Sequence, residues 1–531
     1  MPRTDRARIM RAYAYGADAP VSGWDEVQRQ HRLRTTYWNA LVEIDHWARE
    51  QREAILAPHA VGETDTERRE ARRLAARTPE VRDQLRTVDQ AVTERVRLAR
   101  QAAAANGLYW PNYLDVEASW RVARQGRNPL RFHRYVPHEG AIAFPTTNGM
   151  PVAALFAGDS RVQIDPVPPD TWDSRRQRRR QQRTILRIRV GSQGRAPLWC
   201  EVPIYLHRPL PPEGIHRVTY LTWRRVASRL RFQVSIVVEL PVPAAHLADP
   251  AEGPLVAVDL CWRRLPDGGI RVGYWRGEDG EGGEIALPAR WVAAMAQCDR
   301  IRGYRDSDDL TPEGGLEQLR ARLSAWVDAQ DPDTLPEWLR YARREWGRWR
   351  SHGRFAALAL RWRGERFAGD EDGYTLIEAW RQRDKHLWEY EANQRDELLA
   401  ERREIYRVIA AQLARRYRRL LLEDLDLRAF ARRDGVDAGS DELVMVQTAR
   451  RHQRVLAAPH VLRGALVNAF VREHGPEAVV RIDPAYTTQT CPGCGQVHEF
   501  DAARQLIVTC PACGETWDQD ARACANLLGA A

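Results

Sequence analysis

Cys491-Pro492-Gly493-Cys494, fifteen residues, then Cys510-Pro511-Ala512-Cys513 and, soon after, Asp518-Gln519-Asp520-Ala521-Arg522-Ala523-Cys524 end this chain. Two C-x-x-C pairs at that separation are the pattern of a four-thiolate zinc ribbon. Each pair bends the backbone so that two sulfurs face one tetrahedral ion, and Gly495 and Gly514 stand just after the pairs. Four protein ligands leave no open coordination position, so Cys491, Cys494, Cys510 and Cys513 are read as holding a structural zinc. His498 is a weaker extra ligand candidate and reads as a surface residue. The run after the ribbon reads as the start of a short helix carrying acids. An acidic helix joined to a ribbon directs attention to acids upstream.

Two apolar strands end in such acids. Leu255-Val256-Ala257-Val258-Asp259 is one, and Arg419-Leu420-Leu421-Leu422-Glu423 is the other. A third strand, Val479–Asp483, feeds the ribbon. Magnesium prefers carboxylate and water oxygens, and a two-metal site needs three or four carboxylates converging from different elements. Strand ends present such acids on rigid backbone that opens to solvent. Each acid alone has a plainer explanation: a strand-end Asp is common, and Asp520 can cap its helix. The order strand-Asp, strand-Glu, ribbon, helix-Asp is far less likely by chance.

The chain's 531 residues exceed one compact core, so several domains are expected. Lys plus Arg outnumber Asp plus Glu by 81 to 72, a net charge of +9 that fits a polyanionic partner or simply a basic enzyme. Four of the eight cysteines lie in the ribbon, and the others form no disulfide framework. A reducing cytoplasm is therefore expected. No stretch reaches the roughly 18 apolar residues of a membrane helix, and no membrane partner is expected. The nineteen tryptophans are read mostly as helix-packing anchors, with base stacking as the alternative.

Residues 24–105 carry helical periodicity, with Asn106-Gly107 as a stop. Between 130 and 245 the pattern turns to short strands: Val152–Phe156, Ile185–Val190, Trp199–Tyr205, Val218–Thr222 and Leu230–Leu240. Such strands suggest a small β-barrel. Pro241–Pro254 reads as a linker. Strands at Ile270–Trp275 and Glu284–Leu287 follow, then helices to about Ala414, and a helix over roughly Ala449–His474. Arg175, Arg176, Arg178, Arg179, Arg180 and Arg183 put six arginines in nine residues between strand-like segments, and are read as phosphate contacts. A solvated loop is the plainer alternative.

Val258-Asp259-Leu260, Leu422-Glu423-Asp424-Leu425, Tyr486–Cys491 and the ribbon, in this order, resemble the split RuvC-type nuclease of TnpB proteins and type V CRISPR effectors. The stretches Asp259–Gly268 and Arg271–Trp275, with Gln28-x-x-His31-Arg32-Leu33-Arg34, resemble the compact type V-M effectors. The resemblance implies a multidomain α+β, bilobed effector. Residues 1–20 and 130–250 would form a β-barrel wedge domain, and 21–129 a helical recognition domain. An RNase H-like RuvC domain would take 251–290, 401–485 and 517–531. A helical insertion (291–400) and a target nucleic-acid-binding ribbon (486–516) would interrupt it.

By the same likeness Asp259, Glu423 and Asp520 are the catalytic carboxylates that bind magnesium or manganese, with Asp518 the substitute for the third. Two positions depart from the family pattern: Cys261 replaces the usual Gly, and Arg522 replaces the usual Asn. A side chain at 261 narrows the pocket, and Arg522 is expected to pair with Asp520 against a metal. The implied function is binding of double-stranded DNA directed by a CRISPR guide RNA, one protein per guide, in a prokaryotic cytoplasm. Silencing would come mainly from occupancy, with weak or absent cleavage. The alternatives are an RNA-guided, TnpB-like endonuclease and a ribbon protein that binds DNA without a guide.

Overall fold

The computed structural model describes residues 8–126, 128–158, 160–166, 183–194, 196–241, 253–306, 315–349, 351–425, 452–483, 489–491, 493–498 and 505–530. The chain divides into two compact units, Met1–Arg225 with Arg229–Pro241, and Val226–Ser228 with Val242–Ala531.

In the first unit, strand β1 (Arg8–Ala17) precedes helices α1 (Trp24–Leu56), α2 (Asp65–Ala75), α3 (Pro79–Ala105) and α4 (Trp110–Ala123). On α3, Val88, Val92 and Val96 repeat every fourth residue and pack against Tyr37, Leu41, Ile44 and Ala48 of α1. Thr64 and Glu67 form a capping box that starts α2. Gly107, at φ 85°, ends the turn after α3. Glu117 is buried in this bundle, where Tyr37, Arg100 and Arg121 all donate to it.

Strands β2 (Glu139–Pro151), β3 (Val162–Ile164), β4 (Arg183–Gln193), β5 (Ala196–Tyr205), β6 (Ile215–Val226) and β7 (Arg229–Pro241) join β1 in one sheet, in the order β2-β6-β7-β1-β5-β4-β3. Among the described residues its edges, β2 and β3, do not pair, so the sheet is a half-barrel where a small β-barrel was expected. Strand β1 runs antiparallel to β7 over ten residue pairs. Val152–Phe156 is a 3-10 turn and not the strand read from sequence. Val152 and Leu155 are buried three residues apart, a helical spacing without the alternation of a strand.

His216 is fully buried in this sheet between the hydroxyls of Thr146 (2.8 Å) and Thr219 (2.9 Å). Burial lowers its pKa to about 4. The folded state thus excludes a proton that the unfolded chain takes up near pH 6.5. The resulting stability is complete above about 6.5 and is lost as pH falls toward 4, roughly 3 kcal/mol in all. We expect the denaturation midpoint to drop between pH 7 and 5 and to drop less in His216→Gln. Equal slopes in both proteins would count against this account.

The second unit begins with β8 (Leu255–Arg264), β9 (Ile270–Gly277) and β10 (Gly282–Leu287). Helices α5 (Ala289–Asp306), α6 (Leu316–Asp328), α7 (Glu337–Glu345), α8 (His352–Gly364) and α9 (Glu371–Arg416) follow. Strand β11 (Arg419–Glu423), helix α10 (Pro459–His474), strand β12 (Val479–Ile482), the hairpin β13 (Ile507–Thr509) and β14 (Thr516–Asp518), and helix α11 (Gln519–Gly529) complete it. The large sheet has the order β10-β9-β8-β11-β12. Strands β8, β11 and β12 are parallel, and β9 and β10 form antiparallel pairs. The helix read from Ala449 instead has a break at Ala458, which takes φ 45° just before Pro459. Proline cannot continue an existing helical ladder but suits a first turn.

Tryptophans make much of the helical core. Trp346, Trp362 and Trp380 are buried with Phe355, Leu323 and Leu339, which answers the packing-or-stacking question for them. Among the described residues, no helix is long and apolar enough to cross a membrane. The expected linker is described only at Pro241, Gly253 and Pro254; its residues 242–252 lie outside the described set.

Candidate functional site

The ribbon is built from two matching turns. Gly495 N–H donates to the Cys491 carbonyl (3.0 Å), and Gly514 N–H to that of Cys510 (2.9 Å). Both glycines take positive φ, 72° and 78°, which a side chain would strain. The Sγ atoms of Cys491 and Cys513 lie 3.6 Å apart, and those of Cys494 and Cys510 3.7 Å. A tetrahedral zinc with Zn–S bonds near 2.3 Å requires S···S edges of about 3.8 Å, so this quartet fits the ion. Burial opposes ionisation of Cys510, yet the backbone N–H groups of Cys513 and Ala512 bring its thiol down to about 6. His498 is half-buried rather than at the surface, its Nε2 3.0 Å from Cys510 Sγ. It is placed to orient a ligand, as partners just outside a metal's ligand shell do.

The carboxylates follow from strand periodicity. Val256, Val258, Leu420 and Leu422 face one side of the sheet, in the large core. Ala257 and Leu421 therefore face the other side, where Cys524 and Leu527 of α11 cover them. Asp259 and Glu423, two residues further on, share that second face. In the parallel register Val258 pairs with Leu422, so the two acids come side by side. Glu423 ends β11 as expected, but Asp259 lies midway along β8, which runs on to Arg264 beside β9 and does not end at the acid. Helix α11 brings Asp520 over them. Asp259, Glu423 and Asp520 are 5%, 9% and 3% exposed. Burial first, then the charges of Asp520 and Glu423, hold the Asp259 carboxyl well above its ordinary range. Burial also raises Asp520, against the hydrogen bond from Arg271.

Asp518 and Asp520 have different jobs. Asp518 is the N-cap of α11, accepting from the N–H groups of Asp520 (2.9 Å) and Ala521 (3.2 Å). Asp520 therefore does not cap the helix; its buried carboxylate binds Arg271 and lies close enough to Asp259 for their charges to interact.

Arg522 does not pair with Asp520 as expected. It donates from Nε to the Thr490 carbonyl (3.2 Å), tying α11 to the ribbon. The arginine on Asp520 is Arg271, from β9. Its Nη1 lies 3.0 Å from Asp520 and 2.8 Å from Asp518, and its Nη2 contacts Glu284. Arg271 is itself only 4% exposed. Its position comes from a bulge: β10 pairs Ile285 with Gly273 but Ala286 with Arg271, skipping Val272. One extra residue moves Arg271 onto the carboxylate face, over the Tyr274 ring. Gly273 is required beside it, because a Cβ there would stand 2.6 Å from the Asp259 carbonyl oxygen.

Sequence reasoning gave Arg271 no role. The available signal was one cation inside the apolar run Ile270-Arg271-Val272, since a buried charge demands a partner. Cys261, at the usual glycine position, is drawn against the same pocket. Burial and the nearby Asp520 and Asp259 charges raise its thiol pKa.

Among the described residues, the cysteine quartet is the one group of three or more potential ligands whose donor atoms all lie within 4.8 Å of one another. The three carboxylates do not converge that far, and Asp520 already carries a guanidinium. As arranged they do not gather round a single ion, and Arg271 occupies the Asp520 side of the group.

Of the arginine cluster, Arg175, Arg176, Arg178, Arg179 and Arg180 lie outside the described residues. Arg183 opens β4 and pairs with Asp18 at 2.9 Å. The described part of the same region holds a cleft of about 520 Å³, lined by Tyr109, Phe144, Asn148, Arg161 and Arg189 among others. Arg161 lies over the Trp110 ring (4.3 Å) and Arg189 over Tyr109 (5.9 Å).

Residues 471–527, which hold the ribbon and most of α11, match the family model described as Cas12f1-like, TNB domain. The chain is 43% identical to the CRISPR-associated DNA-binding protein Cas12m of Allomeiothermus silvanus, over 100% of this chain and 99% of that one. It is 30% identical to the Cas12m of Thermanaerosceptrum fracticalcis, over 82% of this chain and 71% of that one. Among solved structures, the mini-RNA-guided endonuclease CRISPR-Cas_phi3 aligns with 98% of this chain and 92% of its own, at 10% identity and a TM-score of 0.37. Identity on this scale, end to end on both sequences, is decisive for kinship: the chain belongs to the Cas12m family of compact type V CRISPR effectors.

Proposed function

We propose that the chain is a CRISPR RNA-guided effector that binds double-stranded DNA and silences its target mainly by occupying it. Full-length identity to a CRISPR-associated DNA-binding protein carries this reading. The protein would read a short flanking motif, while the guide reads the target by base pairing in an R-loop. One protein would hold one guide, in a prokaryotic cytoplasm.

In this reading the large sheet, with its parallel β8-β11-β12 and antiparallel β9, is a RuvC-like domain of RNase H fold. The half-barrel is the wedge, and the bundle of α1, α3 and α4 is the recognition domain. The pairing of β1 with β7 supports grouping 1–20 with 130–250. Occupancy is favoured over cutting by the hold of Arg271 on Asp520. The second reading, a guided endonuclease, draws support from Asp259, Glu423 and Asp520 sharing one face of the sheet.

The protein is expected to purify with a defined short RNA and to gain DNA affinity on adding a matching guide. No RNA and no gain would overturn the proposal. A magnesium or manganese cleavage assay beside Glu423→Gln separates the two readings: many turnovers by the parent alone would establish the endonuclease.

Arg161 and Arg189 are paired with no carboxylate among the described residues, and suit phosphate contacts in the wedge. Replacing both with Ala is expected to weaken guide RNA binding about tenfold at moderate salt and to flatten the log–log salt dependence by about 1 to 1.5. An unchanged salt slope would rule out phosphate contacts by these two residues.

A further inference from the structure

The geometry points to Arg271 as a built-in counter-ion that takes the place of a divalent cation at Asp520. This inference rests on reading Asp259, Glu423 and Asp520 as the carboxylate site of a nuclease fold. Three observations support it. The Arg271 guanidinium is buried and reaches three carboxylates from three elements: Asp518 on β14, Asp520 on α11 and Glu284 on β10. The strand is bulged at Val272 to aim it there. The donor atoms of Asp259, Glu423 and Asp520 do not all lie within 4.8 Å of one another.

An arginine serves this purpose better than a lysine. Its charge is fixed, because it does not lose its proton in proteins, and its planar fork spans two carboxylates at once. Magnesium requires near-ideal octahedral oxygens and gives up water reluctantly. To reach Asp520 it must displace the guanidinium, which is then left buried with fewer partners. Asp518 makes displacement harder still, because its Oδ1 is committed to the helix cap while its Oδ2 binds Arg271. Arg271 is thus a positioning residue: it fixes Asp520 and the start of α11 while lowering the affinity of the site for metal.

Manganese alone is the probe, added to the full chain freed of nucleic acid by nuclease and high-salt chromatography. Free Mn2+ is followed by electron paramagnetic resonance. Arg271→Gln is expected to bind Mn2+ at least tenfold more tightly than the parent, and Arg271→Lys to stay near the parent. Adding Asp520→Asn to Arg271→Gln should abolish the gain. Glu284 is partly exposed, so Glu284→Gln leaves the core intact even if Arg271→Gln fails to fold; it should shift affinity in the same direction, about threefold. Parent-like Mn2+ affinity in folded Arg271→Gln, or in Glu284→Gln, would overturn the proposal. This readout needs neither guide nor target, so it fails or succeeds independently of the DNA-binding reading.

Discussion

The double variant Cys491→Ser/Cys513→Ser is expected to lose its zinc, unfold the ribbon and release the first turn of α11. Replacing one cysteine in each turn matters because His498 lies beside Cys510 and can complete a set of three remaining thiolates. With two cysteines gone, His498 leaves only three ligands. The apolar core of the ribbon is Val508 and Trp517 with the buried faces of Cys491 and Cys510. At roughly 1.5–3 kcal/mol for each large side chain, it cannot replace the metal, whose binding contributes about 10–16 kcal/mol in isolated zinc-finger peptides. A zinc held by the four thiolates would therefore decide whether this segment folds.

The damage should spread along a defined path. Cys510 and Cys513 stand at the turn of the β13–β14 hairpin, and β14 ends on Asp518, the cap of α11. Arg522 adds a second tie to Thr490. Plasma mass spectrometry should find about one zinc per parent chain and well under half of that in the variant. Hydrogen exchange at Asp520 and Ala521 should speed up, while β8 and β11 stay protected. Stoichiometric zinc in the variant, or unchanged exchange at the start of α11, would contradict this path.

What could be read from the sequence follows from how local each signal is. Ligand spacing fixes the ribbon, because its two turns are each closed within five residues. The acids of β8 and β11 could be read because an acid inside or closing the apolar runs Leu255–Leu260 and Leu420–Glu423 marks a charge carried on a buried strand, although β8 continues past Asp259 to Arg264. Val152–Phe156 reads as a strand but folds as a 3-10 turn, since a short apolar run carries little periodicity. The partner of Asp520 could not be found by proximity in the chain. Arg522 stood two residues away and was expected to pair; the side chain that does pair lies 249 positions upstream. Its placement depends on a bulge that only the register of β9 against β10 reveals.

Asp259→Asn is expected to stabilise the protein by about 1–3 kcal/mol at pH 7.5 without added divalent metal. Asp259 is buried beside Glu423 and Asp520, and its carboxyl is held well above its ordinary range by burial and by those charges. In the unfolded chain the same acid ionises near pH 4, so above that pH the folded state holds more protons than the unfolded one. Stability therefore falls as pH rises from about 4 through the raised folded value, and the loss is complete above it. Asparagine has no such loss, so its advantage should be small near pH 4 and should grow with pH. Denaturant midpoints of both proteins at pH 4.5 and 7.5 measure this, and a gap of equal size at both would contradict it. Guided DNA binding should survive the substitution, because the proposed guide and duplex contacts do not involve this carboxylate. A protein that gains stability and keeps its binding when Asp259 is neutralised carries that acid at a cost. Such a cost is what a former or residual metal site in this fold entails.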